Sequence, residues 1–344
     1  MTRLVFMNDP HYSRHAPECR AESYAHEILD KLHQCARIAA RLKAEVIGCS
    51  GDWFHRKGKV TFSEANDILT LLHQWRAGSR NRDPLDVIGI LGNHDIAGHS
   101  LDSLTGRAVG ALVHSALLHL LDHSPWVSRN NKVVVTGSSY RHGEDANDEA
   151  RLETYSVGKE SEFDHEGRFW IHVAHGTLVK REFFGDYTRM GDLVKLLDQY
   201  GICPDAIVCG HLHYSEGIVK FARPSDGKPV KICRVGSLGR VSIDDLERTP
   251  QALVLVVQDG RCVAKAVPIG EEPNRRSAEP ATSGNDEDAG AYEARIKDFV
   301  RILREEADDW SMADHQDLLH RLAEEMGHNE DVVAAAMRAV ERRQ

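Results

Sequence analysis

Five short clusters in this 344-residue chain combine side chains that bind divalent cations: Asp9-Pro-His11, Gly51-Asp52-Trp53-Phe54-His55, Gly92-Asn93-His94-Asp95, His175-Gly176 and Gly210-His211-Leu212-His213. Aspartate, histidine and asparagine donors without cysteine suit Mn(II), Fe or Zn rather than a thiolate centre. In Asp9-x-His11 and His211-x-His213 the i, i+2 spacing lets both side chains share one side of a strand end. Seven donors (Asp9, His11, Asp52, Asn93, His175, His211 and His213) exceed what one tetrahedral ion needs and suit two ions sharing a ligand. Two such ions, roughly 4 Å apart, clamp a phosphoryl group and activate a water as nucleophile. Gly51, Gly92 and Gly210 precede key donors, where a missing side chain permits a sharp turn and a close approach to a ligand.

Each cluster follows an apolar run at once. The runs are RLVFMN, AEVIGCS, LDVIGIL, RFWIHVA and DAIVCG, with a further run, KVVVTG, at 132–137. Short apolar runs closed by turn residues predict buried strands. Between the first three, residues 22–43 carry Ile28, Leu32, Cys35, Ile38 and Leu42 at helical spacing, and residues 63–76 carry Ala65, Ile68, Leu69, Leu72 and Trp75. Strand–helix–strand alternation implies an α/β layered domain, in which ligand groups converge at the carboxyl ends of strands. The Leu- and Ala-rich segment 108–121 reads as a helix, and His99, His114, His119 and His123 in and around it read as surface or core histidines. His172 lies three positions before His175, which places it on the opposite strand face. From 214 to 270 the runs IVKFA, KPVKICRVG, ALVLVVQ and RCVAKAVPI, with turns at SDGK and QDGR, predict antiparallel strands closing a two-sheet sandwich.

Composition narrows the class. Hydrophobic residues at 41% and charged residues at 28% describe a globular chain. No run approaches the roughly 18 apolar residues of a membrane span. Seven cysteines, an odd number without CxxC spacing, argue against a disulfide framework and a zinc–thiolate site. The N-terminal MTRLVFMNDPHY lacks the apolar stretch of a signal peptide, so the expected location is cytoplasmic. The net charge of -10 is concentrated: residues 271–344 hold 10 Lys+Arg against 19 Asp+Glu, a net of -9, leaving -1 for residues 1–270. Residues 271–290, rich in Pro, Ser, Gly, Asp and Glu, read as a flexible acidic linker. Residues 291–344 carry three amphipathic helical stripes and read as a helical module.

The ordered set Asp9/His11, Gly51-Asp52, Gly92-Asn93-His94-Asp95, His175 and Gly210-His211-Leu212-His213, spanning about residues 1–245, resembles the calcineurin-like metallophosphoesterases. The resemblance implies a four-layer α/β/β/α sandwich with a C-terminal helical module here, and a dinuclear centre. It implies that Asp9, His11 and His213 bind one ion, that Asn93, His175 and His211 bind the other, and that Asp52 bridges them. The ions would be Mn(II), with Fe or Zn as alternatives. His94 would stand beside the scissile phosphate as transition-state stabiliser or general acid, oriented by Asp95.

Within that superfamily, Gly51-Asp52-Trp53-Phe54-His55 with the Gly92–Asp95 element and Val235-Gly236-Ser237-Leu238 is most similar to SbcD-type DNA repair exonucleases. That implies a DNA substrate, a role for His55 in processing it, and docking of the C-terminal helices on an SbcC-type SMC-like ATPase. Arg56 and Lys57 would contact DNA phosphates, or else form an ordinary solvated charged turn. Arg141-His142 and Lys180-Arg181 are further rim positions on the same reasoning. SbcD-type nucleases usually carry a DNA-capping domain after the GHxH strand, whereas here only 57 residues, reading as strands, separate His213 from the linker. The alternative is therefore a phosphatase or small-molecule phosphodiesterase of the same superfamily.

Overall fold

The computed structural model describes residues 1–270 apart from 18, 21–22, 78–83, 97–100, 159–162, 164, 166 and 182–185. The expected linker at 271–290 and helical module at 291–344 lie outside the described residues.

The chain opens with β1 (Thr2–Met7), α1 (Tyr24–Leu42), β2 (Val46–Cys49), α2 (Phe62–Ala77) and β3 (Asp86–Gly89), the alternation expected from the pattern. α3 (Ala108–His114), β4 (His119–Leu120), β5 (Trp126–Val127), β6 (Val133–Ser138), α4 (Asp148–Tyr155) and β7 (Phe169–Gly176) follow. Then come β8 (Leu178–Val179), β9 (Thr188–Arg189), α5 (Met190–Gln199) and β10 (Ala206–His211). β11 (Gly217–Ala222), β12 (Pro229–Arg234), β13 (Gln251–Gln258) and β14 (Arg261–Pro268) complete the described fold.

Two six-stranded sheets result, in the orders β14-β13-β1-β2-β3-β4 and β11-β12-β10-β7-β6-β5. The period of two along each strand sorts its side chains between two cores. Leu4 and Phe6 of β1, with Ala206 and Val208 of β10, enter the core between the sheets. Val5 and Met7 face the other way, with Ile28 and Leu32 of α1 and Ile68 and Leu72 of α2. Ile207 and Cys209 of β10 pack with Leu193 and Leu197 of α5. Helices thus cover the outer face of each sheet, giving the four-layer α/β/β/α sandwich. Strands buried on both faces explain the continuous apolar runs.

Two expectations are corrected. The helix at 108–121 stops at His114, where Ala116 turns to φ 56° and the chain re-forms as β4 beside β3. Leu118 and Leu120 then join the helix-side core and Leu121 the inter-sheet core, so burial on the sheet edge overrides helix propensity. The strands after 214 also do not close as one antiparallel meander. β11–β12 and β13–β14 pair antiparallel, but β12 joins β10 in parallel and β13 joins β1 antiparallel, so the two hairpins complete different sheets.

Parallel register aligns the strand ends. Met7 is level with Cys49, and Cys49 with Gly89; in the other sheet His175 is level with Gly210. Residues immediately beyond these positions emerge at one edge of the sandwich.

Candidate metal centre

At that edge the backbone is unusual. Among the described residues, eight non-glycine positions have positive φ, and four of them are expected donors: Asp9 (45°), His11 (49°), Asp52 (54°) and His211 (88°). Left-handed backbone at a non-glycine residue costs about 1–3 kcal/mol, and it clusters where function over-determines geometry. Hydrogen bonds hold these turns. His11 N donates to Asp52 O (2.9 Å), Tyr12 N to Trp53 O (2.9 Å), and Gly239 N to Asp9 O (3.1 Å).

The seven expected donors converge and are all buried. Asp52 stands between two groups: its Oδ2 is 3.5 Å from His11 Nε2 on one side and 3.5 Å from His175 Nε2 on the other. His11 Nε2 lies 2.9 Å from His213 Nε2. His175 Nε2 lies 3.2 Å from both Asn93 Oδ1 and His211 Nδ1. His11 and His213 thus stand on one side of Asp52, and Asn93, His175 and His211 on the other. Asp9 leans to the second side: Oδ1 is 3.6 Å from His175 Nδ1, and the carboxylate accepts from His211 N at 3.2 Å. Asp9, Asp52 and His175 form one compact trio of possible ligands, and His11, His55 and His94 another.

The donor set fits divalent ions on chemical grounds. Ligands about 2.0–2.1 Å from one ion stand about 3.0–3.4 Å apart at right-angled to tetrahedral spacing, close to the separations seen here. Without a cation, Asp9 and Asp52 are two buried carboxylates among imidazoles, an arrangement that is costly unless charge is neutralised. The buried Asn93 amide nitrogen also has no hydrogen-bond partner among the described residues, while its oxygen points at His175.

Tautomers follow from the hydrogen bonds. His175 Nδ1 donates to Ser50 O (2.7 Å), so its lone pair sits on Nε2, on the Asp52 side. Burial lowers the His175 pKa, keeping the ring neutral as a ligand must be. His94 Nδ1 donates to His55 O (2.5 Å), and His94 N donates to Asp52 Oδ1 (3.0 Å). The His94 ring lies 4.8 Å from that of His11 and is stacked 5.9 Å from that of His55.

Asp95 bridges two loops of the site. Its carboxylate accepts from the main-chain amides of Trp53 (3.0 Å), Gly92 (3.0 Å) and Phe54 (3.4 Å), tying the Asp52 loop to the Asn93 loop. Burial, and then the neighbouring Asp52, raise its pKa to about 7, against the pull of those amides.

The basic residues divide. Arg56 and Lys57 are half-buried on the loop following His55, and Arg107 reaches the same loop at Gly58, where an added Cβ would lie 2.5 Å from Arg107 Nη1. Arg141 is paired with Glu153 (2.8 Å) and lines a separate cavity of about 490 Å³. Lys180 Nζ donates to Glu216 O (2.5 Å). His172, as expected, is away from the donors, hydrogen-bonded to Thr136 and Thr154.

Two site residues carried no sequence signal. Tyr140 lays its ring 5.7 Å from that of His211 and 6.0 Å from that of His175. Asp245 places Oδ2 3.2 Å from His213 Nδ1.

The family model for calcineurin-like phosphoesterases matches residues 2–215. The chain belongs to the calcineurin-like phosphoesterase family, and is thus a metal-dependent phosphoester hydrolase of a family that binds two divalent ions. Among solved structures it is similar to a dimetal phosphatase from Danio rerio, at 13% identity and TM-score 0.47, covering 78% of this chain and 96% of that one. It is also similar to the calcineurin-like phosphoesterase YfkN from Bacillus subtilis, at 15% identity and TM-score 0.42, covering 88% and 98% respectively. No curated protein matches the chain. No helix among the described residues is long and apolar enough to cross a membrane.

Proposed function

We propose that this phosphoesterase hydrolyses phosphodiester bonds in DNA, as an SbcD-like exonuclease of repair or processing. The observation that carries the reading is His55. The Gly51–His55 element puts a third imidazole beside His94 and His11, followed at once by Arg56 and Lys57 on a loop joined by Arg107. Cations there would contact phosphates flanking the scissile one and make binding salt-dependent.

His11, His213 and Asp9 would hold one ion, Asn93, His175 and His211 the other, and Asp52 both. When bound, such ions polarise phosphoryl oxygens and lower the pKa of an attacking water. The chain's own residues do the rest. Asp52 fixes the His94 backbone through its amide. His55 O accepts the Nδ1–H of His94, so the general acid would be the imidazolium form of the ring, which passes its Nε2 proton to the departing sugar oxygen and is left as the neutral Nδ1–H imidazole. Tyr140 and the packed histidines exclude bulk solvent from the donor side. In cells the acidic C-terminal module would dock an SbcC-type ATPase, Mn(II) would be the native metal, and the cytoplasm the location.

A second reading, a phosphatase or small-molecule phosphodiesterase, is favoured by one observation. The strands after His213 all belong to the two sheets, so among the described residues no capping domain stands over the site. The test is cleavage of end-labelled single- and double-stranded DNA in Mn(II), beside bis-p-nitrophenyl phosphate. Asp52→Ala and His94→Ala serve as controls. Cleavage that both substitutions abolish, that falls steeply with salt, and that Arg56→Glu/Lys57→Glu lowers while flattening the salt dependence, supports the nuclease. Turnover of the dye with DNA intact refutes it in favour of the second reading.

A further inference from the structure

We propose that Asp245 is the positioning residue for His213, an outer carboxylate that sets which ring nitrogen faces the metal centre. The inference rests on the metal-centre reading above. His213 presents two nitrogens to two environments: Nε2 lies 2.9 Å from His11 Nε2 among the donors, and Nδ1 lies 3.2 Å from Asp245 Oδ2. An imidazole that donates from Nδ1 keeps its lone pair on Nε2, where a cation can use it. A carboxylate behind the ring fixes that tautomer and the ring's orientation.

Asp245 is built to stay put. Its side chain is 2% exposed and that of His213 is 1% exposed, so the contact is dry. Oδ2 also accepts from Val241 N (2.9 Å) and Ser242 N (3.1 Å), and Oδ1 is paired with Arg248. The same segment is pinned to the first donor loop, through Gly239 N on Asp9 O and Leu238 N on Asn8 O (2.7 Å). The carboxylate is therefore rigid relative to Asp9 and His11, as a device that aims a ligand must be.

The inference is tested by Mn(II) titration of the metal-stripped full chain, with nitrogen NMR of histidine-labelled protein reporting the His213 tautomer. The His213 resonances are assigned by their loss in His213→Gln. Asp245→Ala is expected to weaken the tighter Mn(II) binding by about 10- to 100-fold and to move the His213 proton from Nδ1 to Nε2. Asp245→Asn, which keeps an oxygen acceptor, should lie between it and the wild type. Arg248→Ala removes the ion pair on the other oxygen; it should lower the melting temperature and leave Mn(II) affinity within about twofold. Unchanged affinity and tautomer in Asp245→Ala would overturn the proposal. Equal loss of affinity in Arg248→Ala and Asp245→Ala, with the tautomer unmoved, would also overturn it by assigning Asp245 to turn stability alone. A wild-type chain that binds no Mn(II) would refute the metal-centre reading itself.

Discussion

Gly92→Ala is a clean probe of the site because the backbone permits it. Gly92 is not at positive φ, so alanine adds no conformational strain there. The added Cβ would nevertheless lie 2.0 Å from Asp52 Oδ1 and 2.6 Å from both Asp52 Cγ and Asp52 N. Restoring the 3.4 Å of ordinary contact requires the carboxylate oxygen to retreat by about 1.4 Å. Asp52 Oδ2 stands 3.5 Å from both His11 and His175, so such a shift unbalances both sides of the centre. Overpacking of this kind costs about 1–3 kcal/mol of stability, which for a body of this size lowers Tm by roughly 2–10 °C. Misplacing a reacting group by about 1 Å costs on the order of 100-fold in rate. The expected variant is folded, melts slightly early, and hydrolyses bis-p-nitrophenyl phosphate at least about 100-fold more slowly. Gly106→Ala, where nothing lies within 4 Å of the added Cβ, serves as the neutral control. Wild-type kcat/KM in a folded Gly92→Ala would refute the placement of Asp52 at the centre of the site.

Three further outcomes are expected. His94→Ala should lower kcat by about 10²–10⁴-fold while Mn(II) stoichiometry stays unchanged; loss of one ion instead would make His94 a ligand, as its grouping with His11 and His55 allows. Burial holds the His172 pKa down to about 4 from an ordinary 6.5, so the unfolded chain takes up the proton first as pH falls between those values. Native stability attributable to His172 should therefore drop by about 2 kcal/mol between pH 7 and pH 5; urea midpoints of His172→Gln at the two pH values should show a correspondingly smaller difference than wild type, and an equal difference would contradict the assignment. Glu27→Gln leaves Arg20, Lys31 and Arg240 clustered and buried around a neutral group; it should cost about 3 kcal/mol, read as a fall in Tm, and a shift under one degree would contradict it.

What the sequence made legible follows from chain geometry. Donors placed directly after buried strands are recognisable because parallel register brings strand ends to one edge, so Asp9, Asp52, Asn93, His175 and His211 could be gathered without knowing the fold in detail. Asp245 was hidden because Ser242-x-x-Asp245 has the spacing of a helix cap, and only the tertiary contact shows it facing His213. Tyr140 was hidden for a related reason: it follows β6, whose end carries no donor, and it reaches the site by packing alone. The stop after His114 has neither glycine nor proline to announce it, and Leu118, Leu120 and Leu121 suit either a helix or a sheet edge. The partition of the last four strands depends on which sheet edge each hairpin meets, a long-range choice that local alternation cannot encode.

The central claim is that two divalent ions sit on either side of Asp52, held by Asp9, His11, Asn93, His175, His211 and His213. The direct test is an anomalous-difference map from a Mn(II)-soaked crystal, recorded at the manganese edge. Two peaks bracketing the Asp52 carboxylate, one beside His11 and His213 and one beside Asn93, His175 and His211, are predicted. A single peak, or peaks away from Asp52, would contradict the account.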